Sequence, residues 1–126
     1  MKICVLGLGY IGLPTALLLA ESGYKVVGFD IDDRKIEGLK RGILPFKESG
    51  LEELYDRAKD NFEPITELEE SDVFIIAVPT PLDRHIRVAD LNSVKKASQM
   101  IYPFLKKEDM VILESTVPPG TSRKLV

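Results

Sequence analysis

Residues 3–14, ICVLGLGYIGLP, constrain the fold of this chain more tightly than any other stretch. An apolar run stops at Gly7, and Gly9 and Gly12 follow before a helical pattern begins. Glycine costs roughly 0.5–1 kcal/mol against alanine inside a regular element. Three of them within six positions therefore mark backbone where a side chain would be in the way. The spacing is G-x-G-x-x-G between a strand pattern and a helix pattern, the setting in which such a turn takes a dinucleotide pyrophosphate. Gly7 permits the tight turn, Gly9 lets a ligand approach the main chain, and Gly12 lets the helix pack closely on the strand. The alternative is a glycine-rich turn with no ligand, and the flanking strand and helix patterns weigh against it.

Strand-like and helix-like stretches alternate along the chain, which predicts a parallel α/β sheet. Strands are expected at 2–6, 25–29, 72–78 and 109–113, and the third of these is nearly all apolar, as in a sheet covered on both faces. A brief strand at 62–66 carries Pro64 and so belongs at an edge. A helix is expected over 13–22, with Pro14 in its first turn and Gly23 just past its end. A second, over 33–41, is closed by Gly42. Ser49-Gly-Leu-Glu52 has the form of a capping box and predicts a helix with Leu51, Leu54, Tyr55 and Ala58 on one face. Asp90 is placed to cap another, running to Met100 or Tyr102 with Leu91, Val94, Ala97 or Ser98, and Ile101 inward. Right-handed crossovers through these elements give a Rossmann-like, doubly wound sheet of order 3-2-1-4-5 with helices on both faces. Ligands of such sheets collect at the carboxyl ends of the strands, beside strand one.

Asp30 supplies the second half of the argument. It ends the second strand eighteen residues after Gly12, close to the ~20 expected of the acid that bonds a ribose 2′-hydroxyl. A carboxylate there repels a 2′-phosphate, which favours NAD over NADP. Asp32 and Asp33 read better as turn and N-cap residues. Arg34 and Lys35 work against the preference, since basic groups here are able to receive a phosphate. Because Asp30 ends a strand at an exposed edge, its substitution is expected to leave the fold almost unchanged.

Composition narrows the partners. The chain has 126 residues, enough for one compact domain, with 44% hydrophobic residues, 29% charged and a net charge of −3. That charge offers no field to a polyanion, so nucleic acid is not an expected partner. No apolar run approaches the ~20 residues that span a bilayer, and the N-terminus lacks a signal-peptide pattern, so no membrane is expected either. Cys4 is the sole cysteine and sits inside the first strand, where burial makes it inert. An internal disulfide is excluded, no metal site is predicted, and a cytoplasmic location follows as the expectation. His85, the sole histidine, lies in the polar LDRHIR stretch and reads as a loop residue rather than a general base.

GLGYIGLPTA, VPTP at 78–81, the acidic AD at 89–90 and ESTVPPGT at 114–121 together resemble the nucleotide-sugar 6-dehydrogenases. LPFKESGLEEL is similar to a further segment of that family, so the resemblance runs in order over the whole chain. It implies a parent enzyme that oxidises a sugar C6 alcohol to a carboxylate in two hydride transfers, using two NAD, in the service of polysaccharide biosynthesis. By the same resemblance Gly7, Gly9, Tyr10, Ile11 and Gly12 form the pyrophosphate turn and Asp30 holds the adenosine ribose. Lys35 matches a basic position near that ribose, and Thr80 lies beside the cofactor. Thr116 matches the threonine that positions a water in the second half-reaction, a catalytic role. Read without the resemblance, Thr80 and Thr116 are ordinary turn residues at strand ends. The family's catalytic cysteine has no counterpart in these residues. The expectation is therefore an N-terminal NAD-binding domain, 1–126, whose partner domain binds the nucleotide sugar in a homo-oligomeric parent. The chain alone is expected to bind NAD without turnover. A β-hydroxyacid dehydrogenase of the 6-phosphogluconate type shares the glycine turn but does not account for VPTP or LPFKESGLEEL. A non-catalytic NAD sensor would have no use for ESTVPPGT.

Overall fold

In a computed structural model, residues 1–78, 82–83, 88–89 and 92–114 are described. The chain runs through β1 (Lys2–Leu6), α1 (Gly12–Glu21), β2 (Lys25–Phe29), α2 (Asp33–Lys40), α3 (Leu51–Ala58), β3 (Phe62–Ile65) and β4 (Val73–Ile76). It continues through β5 (Leu82–Asp83), β6 (Val88–Ala89), α4 (Asn92–Ile101) and β7 (Met110–Leu113). Five strands form one sheet of order β3-β2-β1-β4-β7, and all four pairings are parallel. This is the expected doubly wound order. Pro64 stands in the edge strand β3, where its missing N–H breaks no ladder on the outer side.

Alternation along the strands builds two cores. Ile3 and Val5 of β1 join Val26, Val73 and Ile75 on the face covered by α1, α2 and α3. Cys4, Leu6, Val27, Phe74 and Ile76 face the other way, against Ala97 and Ile101 of α4. Such burial on both faces is why β4 reads as an unbroken apolar run. Its ladder extends past the four assigned residues, since Asp72 N–H bonds Lys2 O at 2.9 Å and Ala77 N–H bonds Leu6 O at 2.8 Å.

Local chemistry sets the helix ends. Asp32 caps α2 by accepting from Arg34 N–H at 3.0 Å, as its sequence position suggested. Gly23, in the left-handed region at φ 106°, follows the last turn of α1. The capping box at Ser49 does not form. The N-cap of α3 is Gly50, in the left-handed region at φ 84° and without a side-chain cap. That conformation sets Ser49 one residue outside the cap position, and the turn is closed instead by Leu51 N–H on Glu48 O at 3.1 Å. The two-residue hairpin of β5 and β6 was not expected, because pairs this short leave no hydrophobic period to read. Asp90 and Leu91, the expected cap and first inward residue of α4, lie outside the described residues, as do 123–126 and His85. Val94, Ala97 and Ile101 are buried as expected.

Candidate functional site

The turn after β1 lies at the carboxyl edge of the sheet, where β1 meets β2 on one side and β4 on the other. Gly7 closes it, with φ at 97° and its N–H on Phe29 O at 2.8 Å. A Cβ on Gly7 would stand 2.6 Å from Ala77 O and 2.8 Å from Ala77 C, backbone that has no freedom to retreat. A Cβ on Gly12 would run into Gly7 O itself and would also press on the Ala77 side chain at 3.1 Å. The first and third glycines are thus demanded by the chain's own atoms.

Gly9 is different. A Cβ there would meet no atom of the described residues within 4 Å, and its φ is not in the left-handed region. Nothing among the described residues requires glycine at this position, and the space beside it is clear of their atoms. The main chain around it is equally ready for a ligand. Leu13 N–H bonds Gly9 O at 3.1 Å, whereas the amides of Gly9, Tyr10, Ile11 and Gly12 find no acceptor among the described residues. No side chain caps α1, so its N-terminal N–H groups and the positive end of its dipole face the same space. An anion is the complement of that arrangement.

Asp30 lies against the turn and is tied to it. Its Oδ2 accepts Leu8 N–H at 2.9 Å and its Oδ1 accepts Asp32 N–H at 2.8 Å. Lys35 Nζ stands 3.8 Å from Oδ2, and the Asp30 side chain is 10% exposed. The expectation that Asp30 is dispensable to the fold is therefore corrected. Leu8 is fully buried, so its amide has no water to turn to if the carboxylate is removed. Four lone-pair sites on the two oxygens still exceed the groups that occupy them, which leaves capacity for a hydroxyl.

Tyr10 is 72% exposed and its ring leans on Phe46, with centroids 4.3 Å apart at 34°. Phe46 belongs to the connection between α2 and α3, and no local pattern signals that it reaches the glycine turn. Phe46 also lines a hollow of about 440 Å³ with Ile43, Lys47, Glu52 and Tyr55, beside the turn rather than in it. Across the edge, Glu114 follows β7 and accepts the Thr15 hydroxyl of α1 at 2.7 Å. That contact joins residues 99 apart and carries no sequence signal. Thr80 and Thr116 lie outside the described residues, and Val78 is half-buried against the core beneath α4.

Cys4 is fully buried. Burial pushes its thiol up to about 12, with Glu69 adding to the shift and Lys2 opposing it. A thiol so held is unreactive, as expected of a strand residue. Among the described residues, no three His, Cys, Asp or Glu side chains gather in a way that would hold a metal. None of the described helices is long and apolar enough to cross a membrane.

Comparison with known proteins agrees with this geometry. The chain is 48% identical to the UDP-N-acetyl-D-mannosamine dehydrogenase of Methanococcus aeolicus over 128 residues, covering 98% of this chain and 29% of that protein. The solved structure of the UDP-N-acetyl-mannosamine dehydrogenase Cap5O from Staphylococcus aureus superposes with a TM-score of 0.91 at 44% identity, covering 96% of this chain and 30% of that one. The GDP-mannose dehydrogenase of Pseudomonas aeruginosa, solved as a ternary complex, superposes with a TM-score of 0.89 at 31% identity, covering all of this chain and 31% of that one. The chain thus spans roughly a third of the length of each of these relatives. The family model for the NAD binding domain of the UDP-glucose/GDP-mannose dehydrogenases matches residues 1–126, and the chain belongs to that family.

Proposed function

We propose that this chain is the NAD-binding part of a nucleotide-sugar 6-dehydrogenase, one domain of a longer protein whose catalytic cysteine lies downstream. The observation that carries the reading is the glycine turn, where atoms of the described residues exclude a side chain at Gly7 and Gly12 but not at Gly9. A glycine that no described residue requires is explained by a ligand that does. The amides from Gly9 to Gly12, which find no acceptor among the described residues, and the uncapped start of α1 hold the pyrophosphate, with Tyr10 and Ile11 forming its outer wall. Asp30 accepts the adenosine ribose hydroxyls with its remaining lone pairs and repels a 2′-phosphate, while Lys35 steadies its charge. By the family resemblance, Thr80 is assigned a contact with the cofactor. Thr116 holds the water of the second half-reaction.

Bound NAD supplies the hydride acceptor, and the chain's contribution is to fix its position against the sugar carbon. Oxidation of a C6 alcohol to a carboxylate removes two hydrides, so two NAD are consumed per sugar. The rest of the protein holds the nucleotide sugar and supplies the nucleophilic thiol, since Cys4 is buried and inert. A cytoplasmic, homo-oligomeric enzyme that prepares sugar acids for polysaccharide assembly fits the family's chemistry. The test is the full-length protein incubated with NAD and a panel of UDP- and GDP-sugars. Two NADH per nucleotide sugar support the reading. Oxidation of small hydroxyacids, with no turnover of any nucleotide sugar, overturns it.

A further inference from the structure

Glu114 has no part in the roles assigned above, yet its side chain is held firmly at the edge of the site. Its N–H bonds Ile76 O at 2.9 Å, which fixes its backbone alongside the end of β4. Its Oε1 accepts the Thr15 hydroxyl at 2.7 Å. A threonine inside a helix commonly turns its hydroxyl back onto the carbonyl four residues earlier. Thr15 leaves that carbonyl, Ile11 O, to its own N–H at 3.2 Å and reaches across to the carboxylate. The carboxylate is drawn over the first turn of α1. Because the hydroxyl is neutral, the negative charge is not cancelled, and no Lys or Arg among the described residues pairs with it.

The position of that charge matters because a dinucleotide crosses this edge with one mononucleotide on each half of the sheet. Asp30, at the end of β2, marks the adenosine half. The half made by β4 and β7, where Glu114 stands, is left for the nicotinamide. The nicotinamide ring carries a positive charge only when oxidised. We infer that the Glu114 carboxylate, held in place by Thr15, is a specificity-determining charge that favours oxidised NAD over NADH in this site. Its repulsion of the pyrophosphate is common to both forms and cancels in their ratio, whereas its attraction for the ring is present in one form alone. This inference rests on the cofactor reading above.

The experiment is calorimetric titration of the chain with oxidised NAD, NADH and ADP-ribose, before and after Glu114→Gln. Glutamine keeps the shape and still accepts the Thr15 hydroxyl, so only the charge is lost. Oxidised NAD should weaken relative to NADH by about three- to tenfold, as expected for a unit charge within roughly 10 Å at an effective dielectric constant of 30–40. ADP-ribose lacks the nicotinamide and reports the rest of the site and the fold. If ADP-ribose fails to bind even the unmodified chain, the cofactor reading itself falls. If ADP-ribose binds and the substitution moves both dinucleotides equally or neither, Glu114 is a structural tie and the inference alone is overturned. Thr15→Ser keeps the hydroxyl and should preserve the wild-type ratio, and a shifted ratio there would contradict the assigned role of the hydroxyl.

Discussion

Replacing Asp30 with alanine removes a carboxylate that serves the fold and the ligand at once, and the two effects are separable. On the fold side, the bonds lost are Leu8 N–H at 2.9 Å and Asp32 N–H at 2.8 Å. Asp32 is exposed and its amide can turn to water, but Leu8 is fully buried and its amide cannot. A hydrogen bond to a charged group contributes about 1.5–3 kcal/mol, so the expected loss of stability is about 2–4 kcal/mol, dominated by Leu8. The Lys35 ion pair adds little, because at 3.8 Å and with a third of the lysine exposed it is largely screened. On the ligand side, losing the ribose bonds should weaken NAD by tenfold to a hundredfold, the equivalent of about 1.5–3 kcal/mol. NADP should weaken less or tighten, since the repulsion of its 2′-phosphate is gone while Arg34 and Lys35 remain. Urea unfolding without cofactor measures the first effect, and calorimetry with both cofactors, on the folded variant, measures the second. Unchanged stability would refute the tie between Asp30 and the glycine turn. An unchanged ratio of NAD to NADP affinity would refute its ribose role.

Gly7→Ala should destabilise severely, since it combines a strained φ of 97° with contact at 2.6 Å on Ala77 O, and Gly12→Ala should do the same through the carbonyl of Gly7; thermal unfolding or loss of soluble protein reads both. Cys4 should resist a thiol reagent at neutral pH in the folded chain. Its folded pKa of about 12 exceeds the unfolded value near 9, so its contribution is intact below pH 9 and is lost as pH rises from there towards 12. Relative to Cys4→Ala, the wild type should lose roughly 1.4 kcal/mol per pH unit in that window, measurable by urea unfolding at stepped pH. Asp72 runs in the opposite direction: the Lys2 N–H at 2.8 Å holds its carboxyl below the usual range, first among several causes. Its contribution is therefore present above the unfolded pKa and declines as pH falls through the folded one, and Asp72→Asn should flatten the acid limb of the stability curve.

The strand order was legible because burial on both faces writes itself into the sequence as unbroken apolar runs, of which 73–76 is the clearest. The glycine turn was legible because backbone crowding permits no residue but glycine at Gly7 and Gly12. Contacts between distant residues were not. Asp30 reaching Leu8, Tyr10 leaning on Phe46 and Thr15 bonding Glu114 depend on where crossovers deliver their ends, and no local spacing encodes that. The mistaken capping box at Ser49 has the same origin. A serine followed three residues later by a glutamate satisfies the pattern, but a left-handed Gly50 moved the helix start by one position. Asp30 was misjudged as an edge residue because strand ends are usually exposed, and here the turn folds back over it.

If Gly9 is glycine for the sake of a ligand and not of the fold, Gly9→Ala separates the two. With no atom of the described residues within 4 Å of the added Cβ and no left-handed φ to strain, the variant should unfold at the same urea concentration or slightly higher. Lower entropy of the unfolded chain accounts for a gain of up to about 1 kcal/mol. The same methyl group should stand in the path of the pyrophosphate and weaken NAD at least tenfold, or about 1.4 kcal/mol. Preserved stability with lost NAD affinity is the predicted result. Full NAD affinity in the folded variant would contradict it, and so would a loss of stability matching that of Gly7→Ala or Gly12→Ala.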